Sequence, residues 1–434
     1  MMLLNPDGRI TPTVFYSTYD VKDLLKKGDN VIGAYVASGW WQGAIAHGKY
    51  NPGYYKDRKP DLGFAARLDV HYTDGTSDIV YTEPETWKYS LDGPVIKGDI
   101  YDGEVYDARK ESVWTTPKYD DSAWQTCALN TDAHVDIRAF VGPTVQVRTQ
   151  LQRTPVKITR YEGITATGSD YGKINVKETY TQPAAILLPK GQTLVYDMGQ
   201  NMTGWVRFKV KGNSGTEVTL RFAEMLNDEG KKSRGDDGPG GSLYRINLRS
   251  AKATLQYTLK GDVKGEEYSP TTTFFGFRYC DLTATDSIEI ESLTGEVVGT
   301  ATYNADLAAF FRKWMGDMHD SQRGDGAYPD VAPHCWVGWG QAAWAEAGII
   351  IPWTVYLMYN DKGILEENYD SMERYMIFLA DQADEKYRYN GAGTNYGDWV
   401  GFIRAYGQSL YQRLLLCFRG FADGKNFARF KFRF

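Results

Sequence analysis

The stretch "SLTGEVVGTATYNADLAAFFRKW" (Ser292–Trp314) contains the change of architecture on which the reading of the chain turns. Upstream, Ile288 to Val298 alternates as a strand does. Downstream, Leu307, Phe310, Phe311, Trp314 and Met318 fall at i, i+3, i+4, i+7 and i+11, one face of a helix. Only Gly299–Thr302 separates the two periods. The stretch is therefore either a tight domain junction or a place where a segment is missing.

Working back from it, residues 184–298 read as strands. "TLVYDMGQNMTGWVRFKVKGNSGTEVTLRFAEML" (Thr193–Leu226) alternates at Val206, Phe208 and Val210 and again at Val218, Leu220 and Phe222. "GNSGT" joins the two runs, and the polar, Gly-rich Asn227–Gly241 is a loop. "FFGFRYCDLTA" (Phe274–Ala284) is a further strand. The sequence predicts a β-sandwich here. Residues 1–150 predict another, with strands in Asn30–Trp41, Gly63–Glu83 and Thr144–Gln150 and a hairpin turn at Asp74-Gly75.

Working forward, helices are predicted from Leu307, within Ala342–Tyr359, and over Ile364–Ala383. Pro352 marks a kink or boundary in the second. In the third, Leu365, Met372, Tyr375, Met376 and Leu379 face inward. The stretch 402–434 carries seven Lys/Arg and one acid, with no dry face of either period, and reads as an atypical basic tail.

Composition limits the function classes. The chain has 434 residues and a net charge of −6, and no basic stripe precedes the tail, so nucleic acid is not an expected partner. Cys127, Cys280, Cys335 and Cys417 are far apart, without metal-ligand spacing or a disulfide framework. No cofactor or metal is expected. No apolar run reaches 18 residues, so no spanning helix and no membrane partner is expected. "MMLLNPDGRI" is too short in apolar length for a signal peptide, which suggests a cytoplasmic product. The 31 Tyr, 18 Phe and 12 Trp suit β-sandwich cores, and equally carbohydrate contact, since an aromatic plane matches the apolar face of a sugar ring.

Several of these stretches resemble bacterial α-L-rhamnosidases, glycoside hydrolase family 78. "VYDMGQNMTGWVRFKVKG" (Val195–Gly212), "TLRFAEMLNDEG" (Thr219–Gly230) and "FGFRYCDLT" (Phe275–Thr283) resemble the family's second sandwich. "GDNVIGAYVASGWWQG" (Gly28–Gly43) resembles its N-terminal sandwich. Ala301–Pro333, Ala347–Asp361 and "YGDW" (Tyr396–Trp399) resemble its catalytic helical toroid. The resemblance implies a multidomain fold. Two β-sandwiches, 1–150 and 184–298, precede an incomplete all-α (α/α)6-barrel-like domain over 301–401 and the tail 402–434. It also implies inverting hydrolysis of terminal α-L-rhamnosyl residues, with a rhamnose-containing carbohydrate as partner.

The family places a stretch like D-C-P-x-R-D-E-R-x-G-W-x-G-D, which holds the general acid, between the second sandwich and "ATYNAD". Here "GEVVGT" runs directly into it. The chain leaves the family pattern again after Trp399, ahead of the general base, and its N-terminal sandwich lacks opening strands. The resemblance thus implies a truncated, internally deleted member whose activity is in doubt. The alternative is an inactive remnant that binds carbohydrate at most, and no residue is assigned as catalytic.

Inverting hydrolysis needs two carboxyl groups roughly 6.5–9.5 Å apart, one to protonate the leaving oxygen and one to activate water. Asp330 in "YPDVAP", Glu346 in "AWAEAG" and Asp398 in "YGDW" are the carboxylate candidates for substrate binding. Asp330 and Asp398 are equally turn carboxylates, and Glu346 a residue beside a helix dipole. Family members carry Asp where Glu346 stands and Gly where Ala345 stands. Trp339 and Trp399, in Gly-flanked loops, are the expected sugar platforms. His319 reads as a helix surface residue and His334 as a loop residue.

Overall fold

The computed structural model describes residues 2–4, 10–44, 61–130, 136–140, 146–166, 168–181, 185–298, 307–334, 338–341 and 344–383. The junction Gly299–Thr302, the tail 402–434, Asp398 and Trp399 lie outside these. The chain divides into two compact units. One is Val21–Thr131 with Val145–Thr300; the other is Met1–Asp20 with Asp132–Thr144 and Ala301–Phe434. The stretch 1–150 is thus shared between them.

The first unit is built on an eleven-stranded sheet. Its spine is the strand Thr193–Lys211. The first half of that strand pairs with Lys157–Thr165 and Phe275–Ala284. The second half pairs with Ile288–Val297 and Glu266–Tyr268. A register shift between Asp197 and Met202 separates the halves, with Gly199 at φ +77°. Bulged strands bend, so the two halves face each other over one core. Phe208 of the second half packs edge-on against Tyr257, which belongs to Thr254–Thr258 on the other limb, at 5.8 Å between centroids. Val206, Phe208, Val210, Val218, Leu220 and Phe222 are all completely buried there, as their alternation predicts.

Buried carboxylates brace this unit. Glu266 Oε2 accepts from Tyr257 Oη at 2.9 Å and Lys260 N at 3.0 Å, and its Oε1 from Gly261 N at 2.8 Å and Asp262 N at 3.1 Å. Glu296 takes Arg207 Nε and Gln152 Nε2, each at 3.0 Å. Glu104 takes the Tyr268 and Thr272 hydroxyls and the N–H groups of Thr271 and Thr272. Glu104 lies on Gly103–Asp107, which pairs in parallel with Thr254–Thr258.

Two expected strands are corrected. Asn30–Trp41 contains no strand, only the one-turn helix Gly39–Gln42 at its end. Gly33 lies flat against Trp114, where a Cβ would fall 2.1 Å from the ring, and Trp114 Nε1 donates to Tyr35 Oη at 3.0 Å. Side-chain contacts replace a ladder there. In Thr144–Gln150, the described part makes a single bridge from Val147 to Val298 and then enters the 3-10 turn Thr149–Leu151. The Asp74-Gly75 hairpin forms between Arg67–His71 and Ser77–Tyr81, and Asp74 Oδ1 accepts from Thr76 N at 2.9 Å.

The second unit holds the helices Ala308–Asp320, Ala347–Tyr359 and Lys362–Gln382. Asp361 caps the third, its Oδ1 accepting from Ile364 N at 3.3 Å, and Arg312 of the first helix grips the same carboxylate at 2.7 Å. Pro352 lies inside the second helix. Met372, Tyr375 and Leu379 are buried, with Leu365 and Met376 half-buried beside them. The inward face of the first helix is rotated from the expected one. Met315 is buried and Phe310 is 43% exposed. The stripe that packs is Phe311, Trp314, Met315 and Met318, because the neighbouring helices lie on the Met315 side.

Glu266→Ala removes the acceptor for four donors in the closed interior of the sheet unit. It is expected to destabilise that unit by at least about 2 kcal/mol. Glu267→Ala, an exposed neighbour paired with Arg207, is expected to stay within about 1 kcal/mol. Urea denaturation followed by Trp fluorescence compares the two.

Candidate functional site

The segment 328–346 carries three of the predicted site residues and is positioned by Tyr328. Tyr328 is fully buried, its hydroxyl lies 2.8 Å from Ser371 Oγ, and its ring tilts against Tyr375 at 5.0 Å. Gly348 of the second helix lies against the same ring; a Cβ there would sit 2.3 Å from Cε2. From Tyr328 the chain makes a short antiparallel bridge. Gly340 N donates to Tyr328 O and Asp330 N to Gly338 O, each at 2.9 Å, and Pro329 pairs with Trp339.

Asp330 is buried, and its Oδ1 accepts from Gln341 N at 2.8 Å. Gln341 O in turn accepts from Trp344 N at 3.2 Å and Ala345 N at 3.1 Å. The turn then delivers Glu346 to the N-cap of Ala347–Tyr359, where its backbone carbonyl accepts from Ile349 N and Ile350 N at 2.9 Å. Its side chain makes no capping bond to that helix. Asp330, Trp339 and Glu346 thus share one hydrogen-bonded segment.

The Trp339 ring is engaged by the protein itself. Its Nε1 donates to Ser321 O at 3.2 Å. His334 stacks on the ring at 3.9 Å, and the Arg323 guanidinium lies 5.7 Å from its centroid. Burial pushes the His334 imidazole down to about 4, so it is neutral at pH 7 and stacks as an uncharged ring.

Two carboxyls that the sequence reading passed over lie at the end of the first helix. Asp317 is buried and pairs with Lys313 through Oδ2, while its Oδ1 has no hydrogen-bond partner among the described residues. Burial raises its pKa against the pull of Lys313. Asp320 Oδ2 also lacks a partner among the described residues, and burial raises that carboxyl to about 6, against the opposing charge of Arg138. A carboxyl that keeps its proton close to neutrality has the property a general acid needs; burial in a purely structural setting yields the same shift. The sequence signal was their i, i+3 spacing beside the apolar stripe.

Three sequence-family models match in order along the chain. They describe an alpha-L-rhamnosidase N-terminal domain (residues 9–150), a bacterial alpha-L-rhamnosidase concanavalin-like domain (188–299) and a bacterial alpha-L-rhamnosidase 6 hairpin glycosidase domain (295–410). The chain belongs to the bacterial α-L-rhamnosidase family, glycoside hydrolase family 78. An alpha-L-rhamnosidase of Streptomyces avermitilis is 33% identical over 448 positions, covering 89% of this chain and 38% of the relative. One of Alteromonas sp. strain LOR is 28% identical, covering 88% and 43%. Among solved structures, the Streptomyces avermitilis alpha-L-rhamnosidase complexed with L-rhamnose superposes with a TM-score of 0.66 at 29% identity, covering 87% of this chain and 38% of that one. The alpha-L-rhamnosidase from Dictyoglumus thermophilum gives 0.59 at 27% identity, covering 77% and 39%. The chain spans 38–43% of the length of the curated family members it matches.

The raised pKa of Asp320 has a definite sign. The folded chain holds the proton where the unfolded chain, with an ordinary Asp, has released it. Stability from this group is therefore complete below about pH 4 and is lost as pH rises through about 6. Asp320→Asn is expected to raise the stability of the helical unit at pH 7 by about 1–2 kcal/mol, after allowing for its partial access to solvent, and to change little at pH 4. Thermal melts followed by circular dichroism at 222 nm at the two pH values measure the difference.

Proposed function

We propose that the protein is an α-L-rhamnosidase acting on terminal α-L-rhamnosyl residues of glycosides or polysaccharides. The observation that carries this reading is the ordered match of the three rhamnosidase domains over 9–410. In this reading 1–150 and 184–298 are the two family sandwiches, and 301–401 is part of the (α/α)6 toroid. Rhamnose lies against the segment 328–346, with Asp330 and Glu346 as polar contacts and Asp398 and Trp399 supplied from outside the described residues. Hydrolysis is of the inverting kind, in which one carboxyl protonates the leaving oxygen while another activates water on the opposite face.

A second reading is a protein that binds rhamnose-containing carbohydrate without cleaving it. One observation favours it. The 448 aligned positions exceed the 434 residues of the chain although only 89% of the chain is covered, so the Streptomyces relative contains segments with no counterpart here. An internal deletion at Gly299–Thr302 is the proposed place, and the acid loop the proposed loss.

Incubation with an aryl α-L-rhamnoside separates the readings. Release of the aryl alcohol, with the β-anomer of rhamnose appearing first by NMR, is expected for the hydrolase. Saturable binding of L-rhamnose by calorimetry without release supports the binding protein. Neither release nor binding at high protein concentration overturns both.

Asp330→Asn tests the segment itself. The amide oxygen can still accept from Gln341 N, so the fold is kept while the charge is removed. A loss of rhamnose affinity or turnover of at least tenfold, with an unchanged melting temperature, is expected if the carboxylate contacts sugar. A lowered melting temperature with unchanged affinity shows that it serves the turn alone.

A further inference from the structure

A cleft lies on the sheet unit, formed wholly by residues of that unit. Its two lobes have volumes of about 610 and 370 Å³, within the range of small-molecule sites, and Asp237 and Arg245 line both. The smaller lobe is mostly polar, with Tyr161, Pro239 and Leu243 as its apolar lining. Leu243 packs with Val195 and Ala223 on the outer side of the spine strand, with Tyr161 beside them, and Pro239 completes the wall.

Each acid around the cleft already holds at least one donor. Asp281 is held in a fork by Arg221 Nε and Nη2. Asp102 is paired with Lys97 and Lys252. Asp237 Oδ2 accepts from Arg245 N at 2.9 Å and Ile246 N at 2.7 Å, while its Oδ1 is buried without a hydrogen-bond partner among the described residues. Glu104 is saturated by the donors of Tyr268, Thr271 and Thr272.

Arg245 stands apart. Among the described residues its guanidinium makes bonds only through Nη2, to Lys252 O and to Thr254 Oγ1, and its buried Nε has no hydrogen-bond partner. No carboxylate among the described residues lies within ion-pairing distance of it. Burial, first, and the facing Arg221 push its pKa down, and the nearby charges of Asp281 and Asp237 offset this only in part. A guanidinium in that position gains most from a planar anion, which it can grip with two parallel bonds.

The walls are built in advance. Asn227 is buried and donates to Ser242 Oγ at 3.1 Å and Leu243 O at 3.0 Å, while its Oδ1 accepts from Asp237 N at 3.0 Å. On the other side, Arg249 is held at φ +58°, ψ −107° and Ala253 at φ +39°, conformations that cost energy in residues with a Cβ. Such strain occurs where a loop is fixed for a purpose, and rigid walls lower the entropy cost of binding.

We infer that this cleft binds an acidic saccharide, the ring carboxylate of a uronic acid gripped by Arg245 and the ring face laid on Tyr161 and Leu243. Ser242 and Asp237 supply hydroxyl contacts at the rim. The site is a second carbohydrate contact, independent of the rhamnose reading. It gives the chain a preference for acidic over neutral glycans.

Titration calorimetry of the full 434-residue chain with methyl β-D-glucuronide, methyl β-D-glucoside and sodium acetate tests this. The glucuronide is expected to bind at least tenfold more tightly than either of the others, and Arg245→Gln to remove that margin while the melting temperature holds. If the variant does not fold, phenylglyoxal labelling of the unaltered chain replaces it. Glucuronide, and not glucoside, is expected to protect Arg245, as read by peptide mass mapping. Equal affinity for glucoside and glucuronide overturns the inference, as do acetate matching the glucuronide, undiminished binding in Arg245→Gln, and unprotected Arg245. Rhamnose binding is not a readout, so failure here leaves the proposed function standing.

Discussion

The strand Thr193–Lys211 serves two sets of partners, and it can do so only because its middle is bulged. A straight nineteen-residue strand would run past the core and leave half of its apolar side in water. The bend is fixed by Asp197. Its Oδ1 accepts from Gly199 N at 2.8 Å and from Arg278 Nε at 2.8 Å, and its Oδ2 from Arg278 Nη2 at 3.0 Å. Burial pushes that carboxyl up, but Arg278 and the Gly199 N–H outweigh it and hold it below the usual range. With the bend in place, Leu194, Tyr196 and Met198 reach the same core as Val206, Phe208 and Val210. The outer side of the first half then packs, through Val195, against Ala223 and Leu243.

The helical unit rests on a comparable anchor of opposite chemistry. Tyr328 is an aromatic side chain held at its polar end by Ser371 and at its ring by Tyr375 and Gly348. Alanine at Gly348 would favour the helix by roughly 1 kcal/mol on propensity. It is excluded because Tyr328 has no room to move. What this anchor secures is the loop 328–346, where irregular backbone carries the polar residues of the proposed rhamnose site.

Much of this was legible because period-2 and period-3.6 patterns are dictated by burial on one face. Val206 to Phe222 gave the strands in this way, and Met372, Tyr375 and Leu379 the third helix. Three things were not legible, each for a physical reason. The parallel pairing of Gly103–Asp107 with Thr254–Thr258 joins residues far apart in the chain and leaves no local signature. The phase of the first helix is set by what packs on it, so Phe310 turned outward although its spacing was ideal. Trp339 was read from its Gly-flanked loop, but that loop folds His334 back onto the ring, and Arg323 reaches it from the end of the preceding segment.

Buried charge divides the two units more sharply than fold class does. In the sheet unit, Glu104, Glu266, Asp281 and Glu296 are each met by N–H or O–H donors, and such carboxylates are braces, committed to the fold. In the helical unit, Asp317 and Asp320 each keep an oxygen without a partner among the described residues, and both are pushed toward the protonated form. A saturated carboxylate cannot exchange a proton without breaking its bonds, whereas an unsaturated one can. Among the described residues, the carboxyls whose pKa is raised, Asp317 and Asp320, both lie in the helical unit. The sheet unit offers a different resource, the Arg245 guanidinium, which makes no ion pair among the described residues and is suited to holding a ligand and not to transforming one.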